Sequence, residues 1–232
     1  AFLGGRICLG DGRLFESGTV LIEGDRIIKV TDGDPTIPKI EKKIDLEGRT
    51  LLPGFIDCHV HLCMEGGADP EILTKQPNIP MITLKAAESA RSTLMAGVTT
   101  VRDMGGYEYI DLAIRDAVRS GAIPGPRILA SGRLICMTGG TGWTFGGKEA
   151  DGPDEVRKAA REQIKAGAEL VKIMATGGVI TPGVETGSEQ YTEEELRAAI
   201  EEAHKAGRKT AAHAQGTQGI LNALRAGIDS IE

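Results

Sequence analysis

The sequence has 232 residues, 41% of them hydrophobic and 26% charged, which is ordinary for a soluble globular protein and enough for one large domain with a small appendage. Its formal net charge of −6 argues against binding nucleic acid or an anionic membrane by charge, since both need a positive field. No apolar run approaches the ~18 residues of a membrane span, and four irregularly spaced cysteines (Cys8, Cys58, Cys63 and Cys136) without a C-x-x-C pair argue against a zinc knuckle.

That cysteine usage reads as a reduced, cytoplasmic protein. The sequence begins at Ala1 rather than at a methionine, which leaves a signal peptide open. Glycines are frequent and aromatics scarce, a pattern of many tight turns between regular elements.

Residues 1–49 read as short strands. Thr19–Glu23 and Arg26–Val30 flank Gly24-Asp25 and predict a hairpin. A second turn falls near Glu47-Gly48. No helical period interrupts this stretch, which is read as part of a small β domain, sandwich-like in type.

From residue 50 onward, strands alternate with helices. Strands are expected at Leu51–Cys58, Val98–Met104, Arg127–Ser131, Leu170–Met174, Lys209–His213 and Asp229–Glu232. Helices are expected at Thr83–Ala96, Ile110–Ser120, Glu155–Ala166, Thr192–Ala206 and Gly216–Ala226, each followed by a glycine suited to a C-cap. Thr192 and Glu195 form a capping-box pattern. Such alternation implies right-handed βαβ units and a parallel sheet, either an open doubly wound sheet or a barrel. The lack of a G-x-G-x-x-G after the first strand weakens the dinucleotide-binding option. Residues 50–232 fall short of the ~250 residues of a full barrel, and the sequence stops inside a strand at Ile231-Glu232. The expectation is therefore an α/β protein with a (β/α)8 TIM-type barrel that ends after its sixth strand.

Chemistry-bearing residues collect at the C-terminal ends of these strands, where barrel active sites are built. His59 and His61 are two apart, so on a strand both point to one side and can reach one metal ion. Alternatively they are two half-exposed histidines after a strand. Lys172 sits in an apolar strand, where a lysine is rarely buried without a partner. Burial favours its neutral amine, which can react with CO2 to give a carbamate whose two oxygens can bridge two metals. A snorkelling or carboxylate-paired lysine is the competing reading. His213 ends the next strand and alone could be a core histidine. His204, among charged residues of a helix, is read as a surface residue.

These segments resemble a known family. Pro53-Gly-Phe-Ile-Asp-Cys-His59-Val-His61 resembles the first-strand signature of the amidohydrolase superfamily. Gly97-Val-Thr-Thr-Val-Arg-Asp103, Leu170-Val-Lys172-Ile-Met-Ala-Thr-Gly-Gly178 and Ala211-Ala-His213-Ala-Gln-Gly resemble its prolidase-like branch, close to imidazolonepropionase. The resemblance covers nearly the whole chain. It implies two divalent ions, zinc first among them, with His59 and His61 on the more buried one, carboxylated Lys172 bridging, and His213 on the second. It places a further histidine after Ser-Ile-Glu and a general-base aspartate at the end of an eighth strand, both beyond Glu232. It puts Tyr191 where relatives contact substrate, although a packing role before a helix cap fits equally. Thr141 stands where many relatives carry a histidine, which puts the substrate contact of that loop in doubt.

The implied activity is hydrolysis of an amide bond in dipeptides or N-acyl amino acids by a metal-activated water. The alternatives are a cyclic-amide hydrolase, a deaminase, or a non-catalytic relative kept as a scaffold. Lys172 weighs against a deaminase and the four ligands against a scaffold. A small-molecule substrate and a closed homo-oligomer are the expected partners.

Overall fold

The computed structural model describes residues 1–33, 40–64 and 78–232. They divide into two compact units, Ala1–Gly54 and Phe55–Glu232.

In the first unit, β1 (Phe2–Cys8), β2 (Leu14–Glu23) and β3 (Arg26–Asp32) form an antiparallel meander, and two short strands, β4 (Ile44–Asp45) and β5 (Thr50–Leu51), pair with β1 in parallel. The expected hairpin joins β2 to β3 with Glu23 opposite Arg26. Ile7, Val20 and Leu46 are its buried apolar centre. The turn at Glu47-Gly48 is closed by Arg49 N–H donating to the Leu46 carbonyl at 2.9 Å.

The strand expected at Leu51–Cys58 is two strands. β5 belongs to the first unit, whereas β6 (Phe55–Val60) opens the second. Pro53 is the reason. It has no N–H to give a ladder and restricts Leu52 before it, so the apolar run is cut and each piece pairs elsewhere.

The second unit repeats strand and helix. Three parallel strands, β6, β7 (Val98–Asp103) and β8 (Arg127–Ala130), lie side by side in that order. A second parallel sheet has the order β10-β9-β11-β12-β13, where β9 is Ile135–Cys136, β10 Lys148–Glu149, β11 Leu170–Met174, β12 Lys209–His213 and β13 Ser230–Ile231. Glu169 stitches the start of β11 to the end of β8: its N–H donates to the Ala130 carbonyl at 2.8 Å and its carboxylate accepts from Ala130 N–H at 2.9 Å. β9 and β10, two residues each, are not among the expected strands.

The α-helices among the described residues are α1 (Ile79–Met95), α2 (Ile110–Arg119), α3 (Gly152–Ala166), α4 (Glu193–Lys205) and α5 (Thr217–Ala226). α1 begins four residues before its expected start, because Asn78 caps it by accepting from Met81 N–H and Pro80 fits its first turn. α3 and α5 end on Gly167 and Gly227 at φ 100° and 93°, values that L side chains seldom adopt. α4 opens on the full capping box of Thr192 and Glu195.

Strand pleat sorts side chains into two sets. Val171 and Ile173 of β11 and Ala212 of β12 join Val156, Leu196 and Ile200 of the helices in one apolar cluster. The alternate positions, Leu170, Lys172 and Met174, therefore face the other way. In the parallel register, Lys172 lies beside Ala211 and Met174 beside His213. No helix among the described residues is long and apolar enough to cross a membrane.

Candidate active site

The side of β11 and β12 turned away from the helices leads to a cavity of about 170 Å3 lined by His59, His61, Lys172 and His213. They come from three strands, with His59 in β6, His61 just beyond it, Lys172 within β11 and His213 closing β12. Thr141, Met64, Phe145, Met174, Gly178, Val179 and Ile180 complete the wall. The four residues expected to hold metal are thus brought together.

The two histidines of the first strand approach edge to face, with ring centroids 5.4 Å apart. Each is anchored from behind through Nδ1. His61 Nδ1 lies 2.7 Å from the Gly105 carbonyl, and His59 Nδ1 lies 2.8 Å from Oε2 of Glu232. A carbonyl can only accept, so His61 carries its proton on Nδ1 when neutral and leaves the Nε2 lone pair free. Burial, with the charges of Lys172 and His59 behind it, pushes the His61 pKa down to about 4. Burial and the same two neighbours lower that of His213 as well. Neutral imidazoles are the form in which histidine binds metal.

Lys172 is 1% exposed, and its Nζ has no hydrogen-bond partner among the described residues. Burial brings its pKa down to about 8, with Arg102 pushing the same way and Glu232 opposing. The small side chain of Ala211 beside it leaves room around the amine.

Two further features shape the cavity. A Cβ on Gly178 would stand 2.9 Å from Thr141 Cγ2 and 3.3 Å from His213 Nε2, so glycine lets the loop after β11 pass close without displacing either side chain. Thr141 is buried, accepting from Gly178 N–H at 2.6 Å and donating its own N–H to Gln190 at 2.9 Å. Asp103 ties the loops after β6 and β7 together, accepting from Leu62 N–H at 3.0 Å and from Gly105 N–H at 2.9 Å. It thereby fixes the Gly105 carbonyl that orients His61.

Tyr191 is elsewhere. It lies in the apolar cluster between β11 and the helices, 1% exposed, with its hydroxyl donating to the Ala150 carbonyl at 2.7 Å, and it does not line this cavity. His204 sits on the surface with Nε2 2.8 Å from Asp229. The four cysteines are unpaired.

An amidohydrolase family profile matches residues 50–232, which is most of the chain. The chain belongs to the amidohydrolase family. Ochratoxinase of Aspergillus niger is 30% identical to it over 261 aligned residues, covering 98% of this chain and 52% of that protein. Imidazolonepropionase of Streptococcus gordonii is 28% identical over 124 residues, or 42% of this chain and 30% of that protein. Among solved structures, a Xaa-Pro dipeptidase with bound methionine superposes with a TM-score of 0.90 at 32% identity, over 99% of this chain and 60% of the other. A prolidase complexed with N-methylphosphonate-L-proline gives 0.87 at 35%, over 99% and 59%. The fold is accordingly the TIM-barrel type of this family. The chain spans about half the length of the curated relatives it matches over its full extent.

Two residues beside the candidate ligands carry no metal-ligand pattern in the sequence. Glu232 lies against His59, and Arg102 lies against Glu232. A signal was available. Ser230 and Glu232 are two apart in the expected strand Asp229–Glu232, and Arg102 directly follows the apolar and β-branched run Val98–Val101 in β7.

Proposed function

We propose that this chain provides the metal-holding half of a hydrolase that cleaves the amide bond of dipeptides or N-acyl amino acids. One observation carries the reading: His59, His61, Lys172 and His213 line one cavity, and the Lys172 amine in it is buried without a partner among the described residues. Among the described residues no three His, Cys, Asp or Glu side chains stand close enough together to hold a metal ion. Lys172 would join His59, His61 and His213 as a ligand only as a carbamate, the form in which a lysine offers anionic oxygens. The amine attacks CO2, the N–C bond forms and one proton leaves, so the neutral form that burial favours is the reacting one.

With that change, His59 and His61 would hold one divalent ion, His213 the other, and the Lys172 carbamate would span them. Divalent ions so placed, zinc by the donor chemistry, lower the pKa of a water and polarise a scissile carbonyl. The chain's own residues do the rest. Gly105 holds His61 so that Nε2 faces the cavity. Gly178 keeps the mouth of the cavity open, and the Thr141 hydroxyl braces the loop that carries it. Met64, Phe145, Met174, Val179 and Ile180 offer an apolar wall, which suits an uncharged apolar portion of a substrate and helps exclude water.

The likeness to a Xaa-Pro dipeptidase and a prolidase over 99% of the chain supports the dipeptide reading over a cyclic-amide hydrolase, for which the imidazolonepropionase likeness covers 42%. The test is 13C NMR after equilibration with labelled bicarbonate, together with metal analysis. Wild type should show one carbamate carbonyl and bind about two ions per chain. Lys172→Ala should lose the carbamate and most of the metal. A wild-type spectrum without a carbamate, with metal content unchanged in the variant, would remove Lys172 from the site and favour a single-metal centre.

A further inference from the structure

The two histidines of the first strand are held from behind by different kinds of acceptor, and the acceptor behind His59 has its own support. Glu232 uses Oε2 for His59 Nδ1 at 2.8 Å. Its Oε1 accepts from Arg102 Nη2 and from Ser230 Oγ, the latter at 2.8 Å. Arg102 in turn donates through Nε to the Cys58 carbonyl at 2.7 Å and through Nη1 to Ser230 Oγ at 3.3 Å. The Glu232 side chain is only 10% exposed and that of Arg102 24%. One connected network therefore runs from β7 through Glu232, beside β13, to β6, with His59 at its end.

The chemistry of this network is directional. A guanidinium has donors only, so whatever atom faces Arg102 must accept. A carboxylate meets that demand with Oε1 and still offers an acceptor at Oε2. His59 must then place its proton on Nδ1, and Nε2 is left with its lone pair. We propose that Glu232, oriented by Arg102 and Ser230, is a positioning residue that sets the His59 tautomer and so makes His59 Nε2 a metal-binding atom. The proposal rests on the metal-site reading above for its purpose, but the tautomer itself can be read without any metal.

A nearly isosteric change separates this role from packing and from charge. In Glu232→Gln, Arg102 draws the amide oxygen to the Oε1 position and the NH2 group falls opposite His59. A donor there forces His59 Nδ1 to accept, moves the proton to Nε2 and removes the lone pair. The experiment is 15N NMR of histidine-labelled, metal-free protein above the imidazole titration range, followed by zinc affinity measured against a competing chelator. Wild type should show His59 protonated on Nδ1. Glu232→Gln should show it protonated on Nε2 and bind zinc about tenfold to a hundredfold more weakly, the usual range for loss of a group that orients a ligand histidine. Glu232→Ala, should the glutamine variant not fold, should show a mixture of the two tautomers.

An unchanged Nδ1–H spectrum with wild-type zinc affinity in either variant would overturn the proposal. Failure of the metal-site reading looks different. The wild-type protein would then bind no zinc, while the tautomer would still switch with Glu232→Gln.

Discussion

At the scale of single residues, the cavity depends on what is small as much as on what is reactive. A Cβ on Gly178 would crowd the Thr141 methyl and the His213 ring. Gly178→Ala should displace the Thr141 methyl or the His213 ring, and misplacement of a reacting group by ~1 Å costs on the order of a hundredfold in rate. Under the proposed function, steady-state kinetics on a dipeptide substrate should show kcat/KM falling by up to that order, with little change in the unfolding midpoint. A variant with wild-type kinetics would show that the loop after β11 has slack at this point. The four candidate ligands were legible in the sequence, because histidines two apart and a lysine within an apolar strand conflict with their surroundings unless they have work to do. Glu232 was not. Its role comes from a partner 173 positions away, and no local pattern encodes such a pairing.

At the scale of elements, the loops after β6 and β7 are held by buried carboxyls. Burial, and then the neighbouring charge of Asp111, raises the pKa of Asp103, and burial raises that of Asp111. A carboxyl raised in the folded state keeps its proton there after the unfolded chain has lost it. The stability it contributes is therefore fully present below the unfolded value of 3.8 and is lost as pH climbs through the raised folded value. Asp103→Asn should lower the unfolding midpoint, because an amide can accept only one of the two backbone bonds that Asp103 receives. The gap between wild type and variant should narrow as pH rises. Thermal melts from pH 4 upward measure this, and a gap that widens with pH would show that Asp103 is ionised in the fold. Elements of this length were mostly visible beforehand, since α2, α3, α4 and α5 and the strands β7, β11 and β12 carry clear periods and glycine stops. β9 and β10 were not, because two residues have no period. The break at Pro53 is marked in the sequence only by the proline itself, set within a long apolar run.

At the scale of the whole molecule, the two units differ in what a metal can do for them. All four candidate ligands lie in Phe55–Glu232. A ligand that binds only the folded state stabilises by about 2.7 kcal/mol at a hundredfold excess over its dissociation constant. For a domain of this size, ~1 kcal/mol moves the midpoint by about 2–4 °C. Calorimetry with added zinc and bicarbonate should therefore raise the unfolding transition of the second unit by roughly 5–10 °C, and Lys172→Ala should abolish most of the rise. An equal rise in the variant would place the metal elsewhere.

The unequal anchoring of His59 and His61 also bears on how such a site can evolve. His61 is oriented by a main-chain carbonyl, which no substitution at Gly105 can delete. His59 is oriented by the side chain of Glu232, which a single codon change can replace. One ligand of the pair is thus shielded from mutational drift in its acceptor, and the other is open to it. In the proposed metal site, His59 would be the adjustable ligand and His61 the fixed one. Variation at positions 102 and 232 should therefore travel together across relatives, while position 105 is held to glycine, since its φ is 96° and a Cβ there would stand 2.6 Å from the Gly132 carbonyl oxygen.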